Sequence, residues 1–449
     1  MKKLPQLVAF VALAGVSLLP AWAATINVAA GLVNPSGSQC SLIEAMKNAN
    51  AHSDVSGGHC TAGSAGSNTI ILASSSTYTI TQAYTQVETG TNDTESGLPA
   101  ITSTIILDGA GSTIERSSGL GTRCAGGGAK FRIFYLTNTG NLSLSDATLQ
   151  NGCASYGGTG AGGAIFNQGT LSIDLSRLLF NEASQSGGAV HSDGTFTLTR
   201  STVSGNVIAT DEAGGGGIVN RGTMTISQST VSGNQSNGAG GGIDTGHDTA
   251  QGSASLANST LSGNTSAGDG AGLFVRETPA TLRNVTVAYN QASNGLTGGV
   301  HKGGNGAVSL GNTLLANQTG PNCNAGIASA GGNLSDDGTC PATVVSNAGI
   351  GTLSSNGGPT QTIPLLQGSP AISTANLTIC TTPPVNSIDQ RGEPRPQGPG
   401  CDIGAFETVA GIFTSLPVPT LSGWAAILLA GLLALLGFGQ VRRRRNLLH

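Results

Sequence analysis

The sequence predicts an all-β fold, a right-handed parallel β-helix solenoid with an N-terminal helical cap and a C-terminal transmembrane helix. Three observations predict it. A short phrase recurs between Gly152 and Asn317, as Ser201-Thr-Val-Ser-Gly-Asn206, Ser229-Thr-Val-Ser-Gly-Asn234 and Ser259-Thr-Leu-Ser-Gly-Asn264. Looser copies end at Asn181, Asn290 and Asn317, and an inverted one ends at Gly152. The copies recur every ~27 residues, a spacing that marks a stacked repeat. Within each repeat the apolar residues fall in three short bursts, and alternation in runs this short belongs to strands.

The first burst follows paired glycines and supplies Ile165, Val190, Ile218, Ile243, Leu273 and Val300. The second alternates, as in Leu171-Ser-Ile173, Phe196-Thr-Leu198 and Met224-Thr-Ile226. The third is the single aliphatic of the phrase: Leu178, Val203, Val231, Leu261, Val287 or Leu314. Three strands per repeat build a coil that stacks on the next at ~4.8 Å. A flexible glycine-rich linker has no reason to hold aliphatics in phase. The rule for parallel crossovers makes the helix right-handed. The recurring asparagine suits a left-handed turn residue, and stacked amides bond from coil to coil. Gly152 meets the same backbone demand without the amide.

Only 9% of the 449 residues are charged and the formal net charge is -4. There is no basic field for nucleic acid. The eight cysteines form sequence-local couples, Cys40 and Cys60, Cys124 and Cys153, Cys323 and Cys340, Cys380 and Cys401. In an exported solenoid, nearest pairing as disulfides is favoured. No Cys-x-x-Cys spacing offers a zinc site.

In chain order, Lys2 and Lys3, the apolar run Leu7 to Leu19 and Ala21-Trp-Ala23 form a signal peptide over 1–23. The β-helix is expected over 24–330. Its cap helix, about 41–50, has Ser41 and Glu44 at capping-box spacing and an apolar stripe from Leu42, Ile43, Ala45, Met46 and Ala49. The stretch Cys40-Ser-Leu-Ile-Glu-Ala45 resembles the CSLREA motif that opens many bacterial β-helix proteins, with Ile43 in place of arginine. Residues 331–410 depart from the repeat. Asp389-Gln-Arg-Gly-Glu-Pro-Arg-Pro396 and Cys401-Asp-Ile-Gly-Ala-Phe-Glu407 resemble the choice-of-anchor Q domain, a C-terminal cap. Asp389, Arg391, Glu393, Arg395, Asp402 and Glu407 concentrate charge there, and mixed signs read as ion pairs pinning loops over the end of the solenoid. Over 416–449, Leu416-Pro-Val418-Pro419-Thr420-Leu421-Ser-Gly-Trp424 leads into an apolar run, a membrane helix over 424–441, and then Arg442 to Arg445. This resembles the IPTL C-terminal sorting signal of Gram-negative bacteria, with Val418 for isoleucine and Gly423 for the usual acid. The resemblance implies export across the inner membrane, surface or extracellular placement, and a sorting machinery as partner.

The fingerprint Gly158-Thr-Gly160-Ala-Gly-Gly163 lacks the helix that dinucleotide binding needs. The residue after each first-burst aliphatic points outward, giving the column Phe166, His191, Val219, Asp244, Phe274 and His301, flanked by Asp193, Arg221, His247, Asp248 and Arg276. His191 and His301 lie ~19 Å apart at ~4.8 Å per coil, too far for one metal, and no metal or cofactor is expected. Two functions stay open. One is a non-enzymatic surface scaffold that binds glycan through Phe166, His191, Arg221, Asp244, Phe274 and Arg276, with extracellular polysaccharide as partner. The other is a polysaccharide lyase or glycoside hydrolase, which needs a calcium-binding cluster or a close carboxylate pair.

Overall fold

The computed structural model describes residues 23–84, 96–117, 124, 128–155, 160–209, 214–246 and 252–409. The expected signal peptide up to Trp22, His247 and Asp248, the sorting motif from Val418 to Trp424 and the membrane helix over 424–441 lie outside the described residues. Among the described residues no helix is long and apolar enough to cross a membrane. Met1–Glu407 forms one unit and Thr408–His449 another.

Each repeat makes one coil of a parallel β-solenoid. In one coil Val190–Ser192 joins a seven-stranded sheet, Thr195–Thr199 and Thr202–Ser204 join a wide eighteen-stranded sheet, and Val207–Ile208 joins a six-stranded one. All pair in parallel with the next coil, Val190 opposite Ile218, Phe196 opposite Met224 and Val203 opposite Val231. The inward side chains merge into one core cluster that runs from Ile26 to Cys340. Four large side chains per coil, about 1.5–3 kcal/mol each, fall short of a backbone entropy of ~1–2 kcal/mol per residue. Coils are therefore stable only as a stack. The last third-burst residue differs from expectation by one place. Val287 pairs with Leu315, which enters the main core, while Leu314 faces a separate cluster. Two adjacent leucines read alike in either register.

The turn asparagines form a buried ladder. Asn234 Oδ1 accepts from Asn206 N at 3.0 Å and Nδ2 at 2.9 Å, and Asn234 Nδ2 donates to Asn264 Oδ1 at 2.9 Å and Val203 O at 3.0 Å. Gly152 N opens the ladder on Asn181 Oδ1, and Gln318 Oε1, not Asn317, closes it under Asn290 N. The left-handed residue is the one before the ladder asparagine: Phe180, Gly205, Gly233, Gly263 and Tyr289 have positive φ. The asparagine is thus selected for its amide, and the preceding glycine for the backbone. A second ladder joins the two strands of the wide sheet, where Ser176 N, Ser201 N and Ser229 N donate to Ser201, Ser229 and Ser259 Oγ at 3.0, 3.1 and 3.2 Å.

Helix α1, Leu42–Ala51, starts from Ser41 in a full capping box with Glu44 and buries Leu42, Met46 and Ala49 in the cluster that holds Ile26 and Ile70. Asn50 fastens it to the coils through Ala100 O and Thr102 N. Disulfides join Cys40 to Cys60, Cys124 to Cys153, Cys323 to Cys340 and Cys380 to Cys401.

After the strand Thr343–Val344 the chain turns irregular and docks along the flank of the wide sheet. Its contacts are not confined to the C-terminal end where the sequence placed them. They reach back to Gln228 and Thr230, which bond Thr360 and Gln361, and include Asn258, Thr260, Thr286 and Asn312. Ile350, Ile363, Leu365, Ile403 and Phe406 pack there on Ala288 and Leu314.

Candidate functional site

Register places the expected column as the sequence orders it. Phe166, His191, Val219, Asp244, Phe274 and His301 are successive partners across the seven-stranded sheet, and Tyr135 precedes them. They point away from the core but are not open. Phe166 is 8% exposed, His191 2% and Asp244 3%, while Phe274 and His301 are half-buried. The glycine-rich stretches preceding and following each strand cover them. A side chain at Gly214 would collide with the Asp244 carboxylate, and one at Gly303 with the Phe274 ring. Outward-facing and solvated are different properties, and only the first follows from strand periodicity.

Within the column the polar groups engage one another. His191 Nδ1 bonds Ser186 Oγ at 2.6 Å and Nε2 bonds Asp193 Oδ1 at 3.0 Å. Burial holds the His191 imidazole below its usual pKa, with Asp193 pulling the other way and Arg221 and Arg132 adding to the depression. Arg221 is half-buried and acts on His191 through charge. Arg276 grips Asp244, with Nε 3.2 Å from both carboxylate oxygens and Nη2 2.9 Å from Oδ2, and lies 4.7 Å over the Phe274 ring. Phe166 lies between Tyr135 at 5.7 Å and His191 at 5.1 Å, with Arg132 5.4 Å from its centroid. Phe274 stacks on His301 at 5.1 Å, and His301 Nδ1 meets Thr297 Oγ1 at 3.0 Å and Asp269 at 3.2 Å. Burial also lowers the His301 pKa against Asp269.

Sequence reasoning missed Tyr135, Arg132, Ser186, Thr297 and Asp269. Extending the column one coil back, onto Phe134-Tyr-Leu136, finds the first. The others sit in loops whose path the repeat does not dictate. Among the described residues no group of three His, Cys, Asp or Glu is placed to hold a metal ion.

Five charges of the second cluster form one buried network on the flank, while the Glu393 side chain, expected among the ion pairs, is exposed and the residue contributes its backbone N–H. Asp389 takes Arg391 Nη2 at 2.7 Å and the backbone N–H groups of Arg391, Glu393 and Glu407. Arg395 pairs with Glu407 at 3.1 Å and donates to the carbonyls of Ile388, Asp402 and Gly404. Asp402 Oδ1 accepts from Ser373 N, and Arg391 stacks 3.7 Å over Phe406. Burial pushes the Glu407 carboxyl upward while the Arg395 charge opposes it. In the pairs Asp389 with Arg391 and Arg395 with Glu407, removing one member would strand the other's charge in a dry site.

The family model described as the IPTL-CTERM motif matches residues 417–445. That motif marks an exported, surface-sorted protein, here with a parallel β-solenoid body. The chain is similar to a solved structure of pectate lyase Pel9A at 15% identity, over 86% of this chain and 97% of that one, with a TM-score of 0.44. No curated protein matches the chain.

Proposed function

We propose that this surface-sorted β-solenoid is a non-enzymatic scaffold that binds glycan or serves as an adhesive or matrix element outside a Gram-negative cell. In this reading the solenoid is right-handed, helix α1 is its CSLREA-like cap, and the segment over 331–410 is a choice-of-anchor Q-like element. The C-terminal helix inserts in the membrane with its arginines inside until sorting acts. The observation that carries the reading is the use to which the column's polar groups are put. Asp244 is clamped by Arg276 of the next coil, and His191 is held between Ser186 and Asp193 of its own coil, so these groups are engaged in bracing the fold. A catalyst on such a face needs ionisable groups that converge on a substrate. The alternative remains a polysaccharide lyase or glycoside hydrolase acting at the same column.

The test is incubation of the mature protein, with and without calcium, with acidic and neutral polysaccharides. The scaffold reading expects glycan retention without new chain ends. Unsaturated or reducing ends that vanish in the Asp244→Ala, Arg221→Ala double variant would instead establish the enzyme.

A further inference from the structure

The outer face of the wide sheet carries a pattern that the scaffold reading does not use. Its middle column keeps a hydroxyl at every coil, from Ser143 through Ser172, Thr197, Thr225, Ser255 and Thr281 to Ser309, each the register partner of the next. A second column, two residues earlier on the strands, runs Thr170, Thr195, Thr223 and Ser253. Thr170, Thr195, Thr223 and Thr225 are exposed. The hydroxyls thus form a grid, ~4.8 Å from coil to coil and ~6.6 Å between alternate residues of a strand. The serine ladder at the end of these strands and the asparagine ladder at the next turn hold the coils in register.

Threonine is an ordinary solvent-facing strand residue. A solvated sheet face, however, normally mixes charges among its hydroxyls for solubility. On the grid strands from Thr170 to Ser255 the only charged residue is Asp174, which Arg200 at the following turn pairs; the charges that border this stretch are Arg177 on the adjoining strand and Arg283, whose guanidinium bonds Ser309 at the far end of the column. Among the described residues no aromatic side chain occupies an outward position on the grid strands.

Those absences bear on the occupant. A hydroxyl exchanged from water to a ligand nets only about 0.5–1.5 kcal/mol, and a sugar bound strongly needs stacking or charge-assisted bonds besides. Where the neighbouring strands' threonines do meet a polymer, the chain supplies converging amides. Gln390 bridges Thr230 and Thr260 at 2.8 and 2.7 Å, and Ala405 N donates to Thr286 Oγ1 at 2.9 Å. The uncovered grid borders that strip and offers a partner only neutrality and periodicity. Water held on each hydroxyl repeats at the grid spacing, and a bridging water bonds nearly as well as a direct contact. A partner made of water on a lattice needs nothing more.

We infer that this neutral serine and threonine face binds ice, taking a crystal plane as its ligand through the ordered water that the grid holds. The test uses the full-length protein and polycrystalline ice. Wild type should concentrate in slowly grown ice and slow ice recrystallisation. Thr197→Glu with Thr225→Glu should lower that enrichment about tenfold, a loss of ~1.4 kcal/mol, with cooperative melting retained. Val344→Glu, exposed on the last strand of the same sheet and outside the grid, should leave it unchanged. If the double variant does not fold, Thr195→Lys and Thr223→Lys tested singly should each reduce enrichment. Exclusion of the wild type from ice overturns the inference, and so does enrichment that survives the folded double variant. Binding to insoluble polysaccharide that depends on Thr197 and Thr225, without ice enrichment, also overturns it and assigns the face to a glycan. Glycan retention that ignores these residues bears on the scaffold reading alone.

Discussion

Asn234 shows how much one side chain holds in this fold. Its amide makes four buried hydrogen bonds that connect three coils, so Asn234→Leu leaves donors and acceptors unpaired on both sides. Each orphaned group costs about 1–3 kcal/mol, and a loss of about 2–4 kcal/mol is expected, read as a lower urea midpoint at unchanged slope. A variant within a few tenths of wild type would contradict the ladder's role. His191 gives a second, pH-dependent prediction. Its folded pKa lies below the unfolded value of about 6.5, so between the two the unfolded chain binds more protons. Stability should therefore hold above pH ~6.5 and fall as pH drops below it. His301, depressed in the same direction, adds to the effect. In His191→Phe the decline in melting temperature from pH 7.5 to 5 should be shallower; an unchanged decline would assign the acid sensitivity elsewhere.

At the scale of elements, the C-terminal segment depends on a few polar anchors. Gln390 is fully buried and bonds Thr230, Thr260, Thr360 and Gln361. Gln390→Ala should loosen the segment while the coils stay intact, raising its proteolysis under native conditions by on the order of tenfold or more. Cleavage within the coils at the same rate would show that segment and solenoid unfold together. This docking was not legible in the sequence, because its partners lie 130 and 160 residues apart and follow no repeat. The coils were legible for the opposite reason. Strand periodicity and a fixed repeat place Val190 over Ile218, and the asparagines over one another, by counting alone. Counting failed where chemistry was degenerate, at Leu314 and Leu315, and where two residues of the turn shared its demands. It gave the asparagine the left-handed backbone that Gly205, Gly233 and Gly263 supply. It also found the column from Phe166 to His301 without its cover, because the glycine loops that bury Asp244 are positioned by tertiary contact.

At the scale of the whole molecule, the solenoid is a surface-sorted body whose outward column braces successive coils, Asp244 of one to Arg276 of the next. The pair of Asp244 and Arg276 separates a brace from an active site most directly. Asp244 is buried while the Arg276 side chain is 37% exposed, so solvent screening reduces the value of the pair below that of a fully buried one. The decisive measurement is a double-mutant cycle of Asp244→Asn, Arg276→Met and both together. It follows urea unfolding alongside polysaccharide retention and cleavage. Each single change should lower stability by about 1–3 kcal/mol, the double change should cost less than their sum, and no variant should alter the release of chain ends. Wild-type unfolding in all three variants, together with loss of a measurable polysaccharide cleavage, would contradict the bracing role.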